Sequence, residues 1–182
     1  LFFVSADGPV FLRSVAFDFT ADGVVSRAID ARAPDGLDIR DVAVRGRLDG
    51  GRGPVRVDVR SDGGRGVVER LSLPDGSTTE DAVTGCYVGD EHRGDVLFRD
   101  CRIEGFADNG LYAEPTRGQV AVEGGYYANN GIANVRVRAG STVSGVRVRC
   151  DNDASEFENM RGIRLANANP DPEAEPATVE NC

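Results

Sequence analysis

One short segment gathers most of the reactive side-chain types in this chain. Asp90-Glu91-His92-Arg93 lies between Gly89 and Gly94 and contains the single histidine. Glu114-Pro115-Thr116-Arg117-Gly118 follows about one repeat later. Carboxylates, an imidazole and guanidiniums are the raw material for two reactions of polysaccharides. Glycoside hydrolysis needs two carboxyl groups at a fixed separation, one to protonate the leaving oxygen and one to attack or to activate water. β-Elimination from a uronate needs a base and a cation that neutralises the sugar carboxylate. If the two segments leave neighbouring turns of one fold, Asp90, Glu91, His92, Arg93, Glu114 and Arg117 share a patch. The plainer reading is a pair of solvated loops, because acidic loops are abundant in this sequence.

A second set of residues suggests binding. Several short runs consist of a glycine followed by apolar-x-apolar: Gly85-Cys86-Tyr87-Val88, Gly110-Leu111-Tyr112-Ala113, Gly131-Ile132-Ala133-Asn134 and Gly162-Ile163-Arg164-Leu165, with Gly53-Pro54-Val55-Arg56-Val57 one residue longer. Their middle residues, Arg56, Tyr87, Tyr112, Ala133 and Arg164, point outward if the runs are stacked strands. Tyr87 and Tyr112 then lie side by side with Arg56 beside Tyr87. Sugar rings present an apolar face to an aromatic ring, and guanidinium pairs with carboxylate, so this strip suits a carbohydrate. An ordinary aromatic ladder that stabilises the sheet is the structural alternative. Asn109-Gly110 and Asn130-Gly131 read as turns, since both residue types tolerate left-handed backbone angles.

A third set matches a cation loop only in part. Asp151, Asp153 and Ser155 place oxygens at alternate positions, as calcium loops do. The glycine expected at the sixth place and the glutamate expected at the twelfth are missing, and Gly162 stands at the latter. Calcium at this loop is the one cofactor the sequence suggests. With one histidine and no Cys-x-x-Cys, a zinc site is not expected. Asn169-Pro170-Asp171-Pro172-Glu173-Ala174-Glu175-Pro176 reads as an exposed loop.

The elements that must position these residues come from a recurring hexapeptide: apolar, two polar or small, apolar or small, any, apolar. The copies are Leu12–Phe17, Ile39–Val44, Val68–Leu73, Phe98–Ile103 and the weaker Val122–Tyr127, with Val179–Cys182 cut short. They return every roughly 24 to 30 residues, a period typical of a solenoid. Short strands lead into them at Leu37-Asp38-Ile39, Val96-Leu97-Phe98, Val120-Ala121-Val122 and Val146-Arg147-Val148. No stretch keeps a helical apolar period. A three-residue strand buries nothing alone. Equivalent strands stacked about 4.8 Å apart pair in parallel, and Val15, Val42, Leu71, Cys101 and Gly125 then form one inward ladder. The expected fold is all-β, a parallel β-helix of about six to seven coils. An antiparallel β-sandwich is the alternative, but it does not explain the constant hexapeptide register. Outward positions run Arg13, Arg40, Glu69, Arg99 and Glu123, predicting ion pairs Arg40–Glu69 and Glu69–Arg99.

On these repeats the chain, from about residue 10 to 182, resembles the right-handed parallel β-helix proteins of the pectin-lyase-like superfamily, and it is similar in composition to β-helix proteins of salt-loving archaea. The resemblance is clearest from Val96 to Asn134. Such proteins include polysaccharide lyases, glycoside hydrolases, uronan epimerases, adhesins and phage tailspikes, so the fold alone does not select an activity. Departures matter. His92 is followed by Arg93 where the polygalacturonase-like hydrolases have His-Gly, and Asp171-Pro172-Glu173-Ala174 does not match the Asp-Pro-His-Asp of the alginate epimerases.

The formal net charge is −9 and the pI about 4.7, and every one of the 21 basic residues is arginine. A surface of this kind stays hydrated when salt screens its self-repulsion, which predicts a halophilic protein. It argues against nucleic acid as a partner. No segment is apolar for long enough to span a bilayer. Cys86, Cys101, Cys150 and Cys182 are expected as buried free thiols, with a Cys86–Cys101 bridge the remaining pairing, because Cys101 and Cys182 stand about three coils apart. Residues 1–182 read as one domain, an excerpt of a longer solenoid with no signal peptide in view. The expected function is a surface or secreted module that engages polysaccharide or glycoconjugate. A polysaccharide lyase or hydrolase with part of its site outside the excerpt, and a structural stalk or adhesin shaft, are the alternatives.

Overall fold

The computed structural model describes residues 2–78, 80–151, 157, 160–166 and 175–182. The chain winds into a parallel β-solenoid of about six turns, and no helix occurs among the described residues. One sheet has seven strands in spatial order Phe2–Ser5, Ile29–Ala33, Val55–Val59, Cys86–Val88, Asn109–Ala113, Ala133–Val137 and Ile163–Leu165. The second has eleven strands and bends along its length. Its first half stacks Arg65–Glu69, Asp95–Arg99, Gln119–Glu123, Thr142–Ser144 and Thr178–Glu180, and its second half stacks Ser72–Leu73, Arg102–Glu104, Tyr126–Ala128 and Arg147–Arg149. Val10–Asp18 and Leu37–Arg45 run through both halves as single nine-residue strands. Every pairing between named strands is parallel, which a sandwich would not give.

Alternation of side chains sends one parity inward. Val55 aligns with Ile29 and Cys86, Cys86 with Leu111, and Leu111 with Val135. On the opposite wall Ile39, Val68, Phe98, Val122 and Val143 form a ladder. All of these are buried in one continuous core. Each such side chain contributes about 1.5–3 kcal/mol when taken fully out of water. Of the expected ladder, Val42, Leu71 and Cys101 are buried, while Val15 and Gly125 are partly exposed.

The third hexapeptide position turns out to be a corner. Ser14, Asp41, Arg70, Asp100 and Asn181 all have φ between 51° and 56°, and Gly124 and Gly145 stand in the same place with φ of 63°. A left-handed residue at this place in each turn separates the eleven-stranded sheet into its two halves. It also explains why this position is polar or small, since left-handed angles suit Asn, Asp and Gly best. Gly145 marks a further hexapeptide copy, Val143–Val148, which fits the pattern but is absent from the copies counted in the sequence: Val143 aligns with Val122 and Val148 with Tyr127. Val146-Arg147-Val148 therefore closes a hexapeptide rather than leading into one.

The Asn-Gly turns also differ from expectation. Asn109 and Gly110 open a strand, and the left-handed residue near the second pair is Asn129. Gly110 is required by close packing: a Cβ there would lie 2.6 Å from Asn130 Nδ2 and 2.6 Å from Asn134 O. Asn130 is buried and joins successive turns. It accepts from the Phe106 N–H at 3.0 Å and donates to Ile103 O at 3.2 Å and Asn134 Oδ1 at 2.7 Å. The cysteines are all free. Cys86 and Cys101 are buried as expected, whereas Cys150 and Cys182 are exposed, each following a strand at one end of the eleven-stranded sheet with no further strand stacked on it among the described residues. Burial pushes the Cys101 thiol up to about 11 and the Cys86 thiol well above its ordinary value, which makes both unreactive.

Candidate functional site

The outer face of the seven-stranded sheet carries one uninterrupted row of side chains. By strand register it runs Phe3, Asp30, Arg56, Tyr87, Tyr112, Arg136 and Arg164. Arg56, Tyr87, Tyr112 and Arg164 stand where the sequence places them. Ala133 does not. It is buried opposite Asn109, and Arg136 takes the outward place, because Asn134, three residues beyond Gly131, holds the register position of Gly110.

Tyr87 and Tyr112 are half-buried, with ring centroids 5.6 Å apart and planes tilted by 56°. Each ring is flanked on its other side by a guanidinium. Arg56 lies 5.4 Å from the Tyr87 centroid and Arg136 lies 4.6 Å from that of Tyr112, both within cation–π range. Burial raises the pKa of both phenols, so each keeps its proton and remains a hydrogen-bond donor near neutral pH.

Buried carboxylates fix the guanidiniums. Asp58 is wholly buried. It accepts from Arg56 Nε at 2.7 Å and from the Gly89 N–H at 2.8 Å. Burial raises its pKa against the opposing pull of Arg56. Arg56 also meets Glu91 at 3.2 Å and Asp90 at 3.7 Å. A Cβ on Gly89 would fall 2.6 Å from Arg56 Nη2 and 3.0 Å from the Tyr87 ring, so the missing side chain is what lets the guanidinium rest there. Arg136 pairs with the buried Glu114.

One strand back, Asp30 accepts from Arg27 and Arg32, each at 2.8 Å, and Arg32 reaches Glu91 at 2.6 Å. Burial opposes ionisation of Asp30, but the bonds from Arg32 and Arg27 outweigh it and lower its pKa. The four central charges form a checkerboard, with Asp30 aligned with Arg56 and Arg32 with Asp58. Sequence reasoning misses Asp30, Arg32 and Asp58. The signal is present in Asp30-Ala31-Arg32 and Arg56-Val57-Asp58, where charges two residues apart must share one face of a strand.

The two loops singled out in the sequence are neighbours. His92 O accepts from the N–H groups of Arg117 and Gly118, both at 3.0 Å. Their reactive side chains nevertheless diverge. His92 is fully buried; its Nδ1 accepts from the Val59 N–H at 3.0 Å and its Nε2 lies 3.1 Å from Gln119 O. Burial lowers its pKa, which suits a neutral ring with the proton on Nε2. Asp90 and Glu91 turn toward Arg56, Glu114 turns toward Arg136, and Arg93 and Arg117 are exposed. Of the calcium candidates, Asp151 pairs with Arg149, while Asp153 and Ser155 lie outside the described residues. No group of three or more His, Cys, Asp or Glu side chains is arranged to hold a metal ion among the described residues.

An open depression of about 350 Å³ lies at the Phe3 end of the row, lined by Phe3, Val25, Arg27, Asp30, Gly51 and Arg52. No helix is long and apolar enough to cross a membrane among the described residues. Compared with protein-family models, curated proteins and solved structures, the chain matches none of them.

Proposed function

We propose that this β-solenoid is a carbohydrate-engaging module of a surface or secreted protein, with the Tyr87–Tyr112 pair as its contact. The observation that carries this reading is the pair itself. Two neighbouring rings remain half-exposed on a sheet whose other face is close-packed, and each is backed by an immobilised guanidinium. Neither tyrosine hydroxyl has a protein hydrogen-bond partner among the described residues. Each can therefore bond a sugar hydroxyl while its ring packs on the sugar's apolar face. Catalysis gains less support, since both ring nitrogens of His92 are engaged and Glu114 is held by Arg136. The all-arginine, acidic composition fits a protein that works in concentrated salt.

Titration calorimetry with a set of soluble oligosaccharides tests the assignment. Heat of binding to at least one glycan, reduced in both Tyr87→Ala and Tyr112→Ala, is the expected result. No binding to any glycan, with the folded state verified by circular dichroism, removes the assignment.

A further inference from the structure

On the reading that this strip binds carbohydrate, we infer that its ligand is an uncharged polysaccharide chain lying along the solenoid axis, and not a uronan. The sequence alone suggests the opposite use of Arg56, as the partner of a sugar carboxylate. The structure gives that guanidinium to the protein's own acids.

Arg56 is bound through Nε to Asp58 and through Nη2 to Glu91, with Asp90 nearby. Arg136 is bound to Glu114. Asp58 and Glu114 are buried, so an incoming carboxylate cannot displace them without stranding a charge away from water. It would also approach Asp90 and Glu91, which are exposed enough to repel it. A neutral ring meets none of these penalties. It gains the two phenol faces and hydroxyls, and it leaves the ion pairs intact.

The direction follows from the register. Tyr87 and Tyr112 occupy equivalent places on adjacent strands, so the line joining them runs along the solenoid axis. Their 5.6 Å separation is close to the length of one pyranose unit in an extended chain. Successive units can therefore each meet one ring, with a twist between units to follow the 56° tilt. Arg164 is the exception among the row's cations. It lies one strand beyond Arg136 and has no carboxylate partner among the described residues. A uronan that did bind would depend on it.

Affinity electrophoresis separates these cases. The chain is run through gels holding a neutral β-glucan, a neutral xylan, polygalacturonate or alginate, at low and at high sodium chloride. Retardation by a neutral polymer, unchanged by salt, is expected. Each of Tyr87→Ala and Tyr112→Ala should weaken it by roughly three- to tenfold, the range for losing one ring contact, while Tyr87→Phe keeps most of the effect. Arg164→Gln should leave it unchanged. Stronger retardation by the uronans, declining with salt and lost in Arg164→Gln, overturns the inference while sparing the carbohydrate reading. No retardation by any polymer removes both.

Discussion

The two outward faces of this solenoid are built from the same residue types and treat charge in opposite ways. On the eleven-stranded sheet, Arg13, Arg40, Glu69, Arg99 and Glu123 follow one another in register. Arg40 pairs with Glu69 at 2.9 Å and Arg99 with Glu123 at 2.9 Å, while the second oxygen of Glu69 turns to Arg70 instead of to Arg99. Both members of the Arg99–Glu123 pair are more than two-fifths exposed. On the seven-stranded sheet the corresponding row pairs Arg56, 15% exposed, with Asp58, 0% exposed, beside two aromatic rings. Exposed ion pairs are worth little because water and salt compete for both partners. Buried ones must be satisfied completely, and in return they hold a side chain in one place. The contrast therefore separates a solvated surface from one organised to present rings at fixed positions.

The largest test of that contrast removes one acid from each face. Asp58→Ala should cost about 3 kcal/mol or more, since it leaves Arg56 and the Gly89 N–H without their buried partner. Glu123→Ala should cost no more than about 1 kcal/mol. Urea unfolding of the two variants checks this, and equal losses would erase the distinction between the faces. Acid sharpens it further. Asp58 has a folded pKa raised by burial, so the native state holds its proton more tightly than the unfolded chain does. Its contribution is then fully present below about 3.8 and diminishes as pH rises through the folded value. Asp41 is the reverse. Its hydrogen bond from Arg70 lowers its pKa, so its contribution is present above the ordinary carboxylate value and is lost as pH falls through the lowered one. Unfolding midpoints between about pH 3 and 7 should show Asp58→Asn and Asp41→Asn diverging from the parent in opposite directions.

The next effect concerns the corner that divides the eleven-stranded sheet. Asp100 is exposed with φ of 51°. Asp100→Val places a β-branched side chain in a left-handed conformation and should destabilise by about 1–2 kcal/mol. Asp100→Asn should be nearly neutral. Denaturation curves that coincide for the two variants would show that the corner exerts no conformational demand.

How far the sequence discloses this arrangement varies with the physical signal. The solenoid and its register are legible because burial repeats: Ile39, Val68, Phe98 and Val122 recur in phase, and a one-residue slip would turn them all to water. The copy at Val143–Val148 fits the same pattern, yet it escapes notice because it follows Val122–Tyr127 sooner than the spacing of the other copies allows. The aromatic pair is visible because Tyr87 and Tyr112 hold the same place after a glycine. Arg136 is not, because Asn134 stands where that glycine would be, which shifts the pattern onto Ala133. The site's anchors escape notice for a different reason. Asp58 looks like any other acid in a chain rich in them, and one of its partners, the Gly89 N–H, lies one turn away. His92 looks reactive by type, yet its ring closes backbone bonds between turns.

Gly89→Ala adjusts the aromatic face without touching a charge. The new Cβ would stand 2.6 Å from Arg56 Nη2, and the far end of a flexible side chain can move away. The expected cost is therefore the cation–π contact and part of the Glu91 pair, about 1 kcal/mol. Glycan retention should fall as the Tyr87 ring loses its support. Tyrosine fluorescence of the variant, compared with that of Arg56→Gln, checks whether the guanidinium has left the ring. Similar spectra would place the loss at that contact. A parent-like spectrum would mean that Arg56 holds its position despite the methyl group.

The smallest effect is the coupling between Arg99 and Glu123. The two side chains face each other across adjacent parallel strands, with Arg99 Nε and Nη2 both directed at Glu123 Oε2. A double-mutant cycle to alanine should return about 0.2–1 kcal/mol at low salt. Raising the salt to about 1 M shortens the screening length to about 3 Å and should bring the coupling close to zero. The same cycle on Arg56 and Asp58 should keep most of its larger coupling, because little solvent reaches between those groups. If the Arg99–Glu123 coupling also withstood salt, the ladder on the eleven-stranded sheet would be a rigid structural element, and the difference between the two faces would lie in their aromatic rings alone.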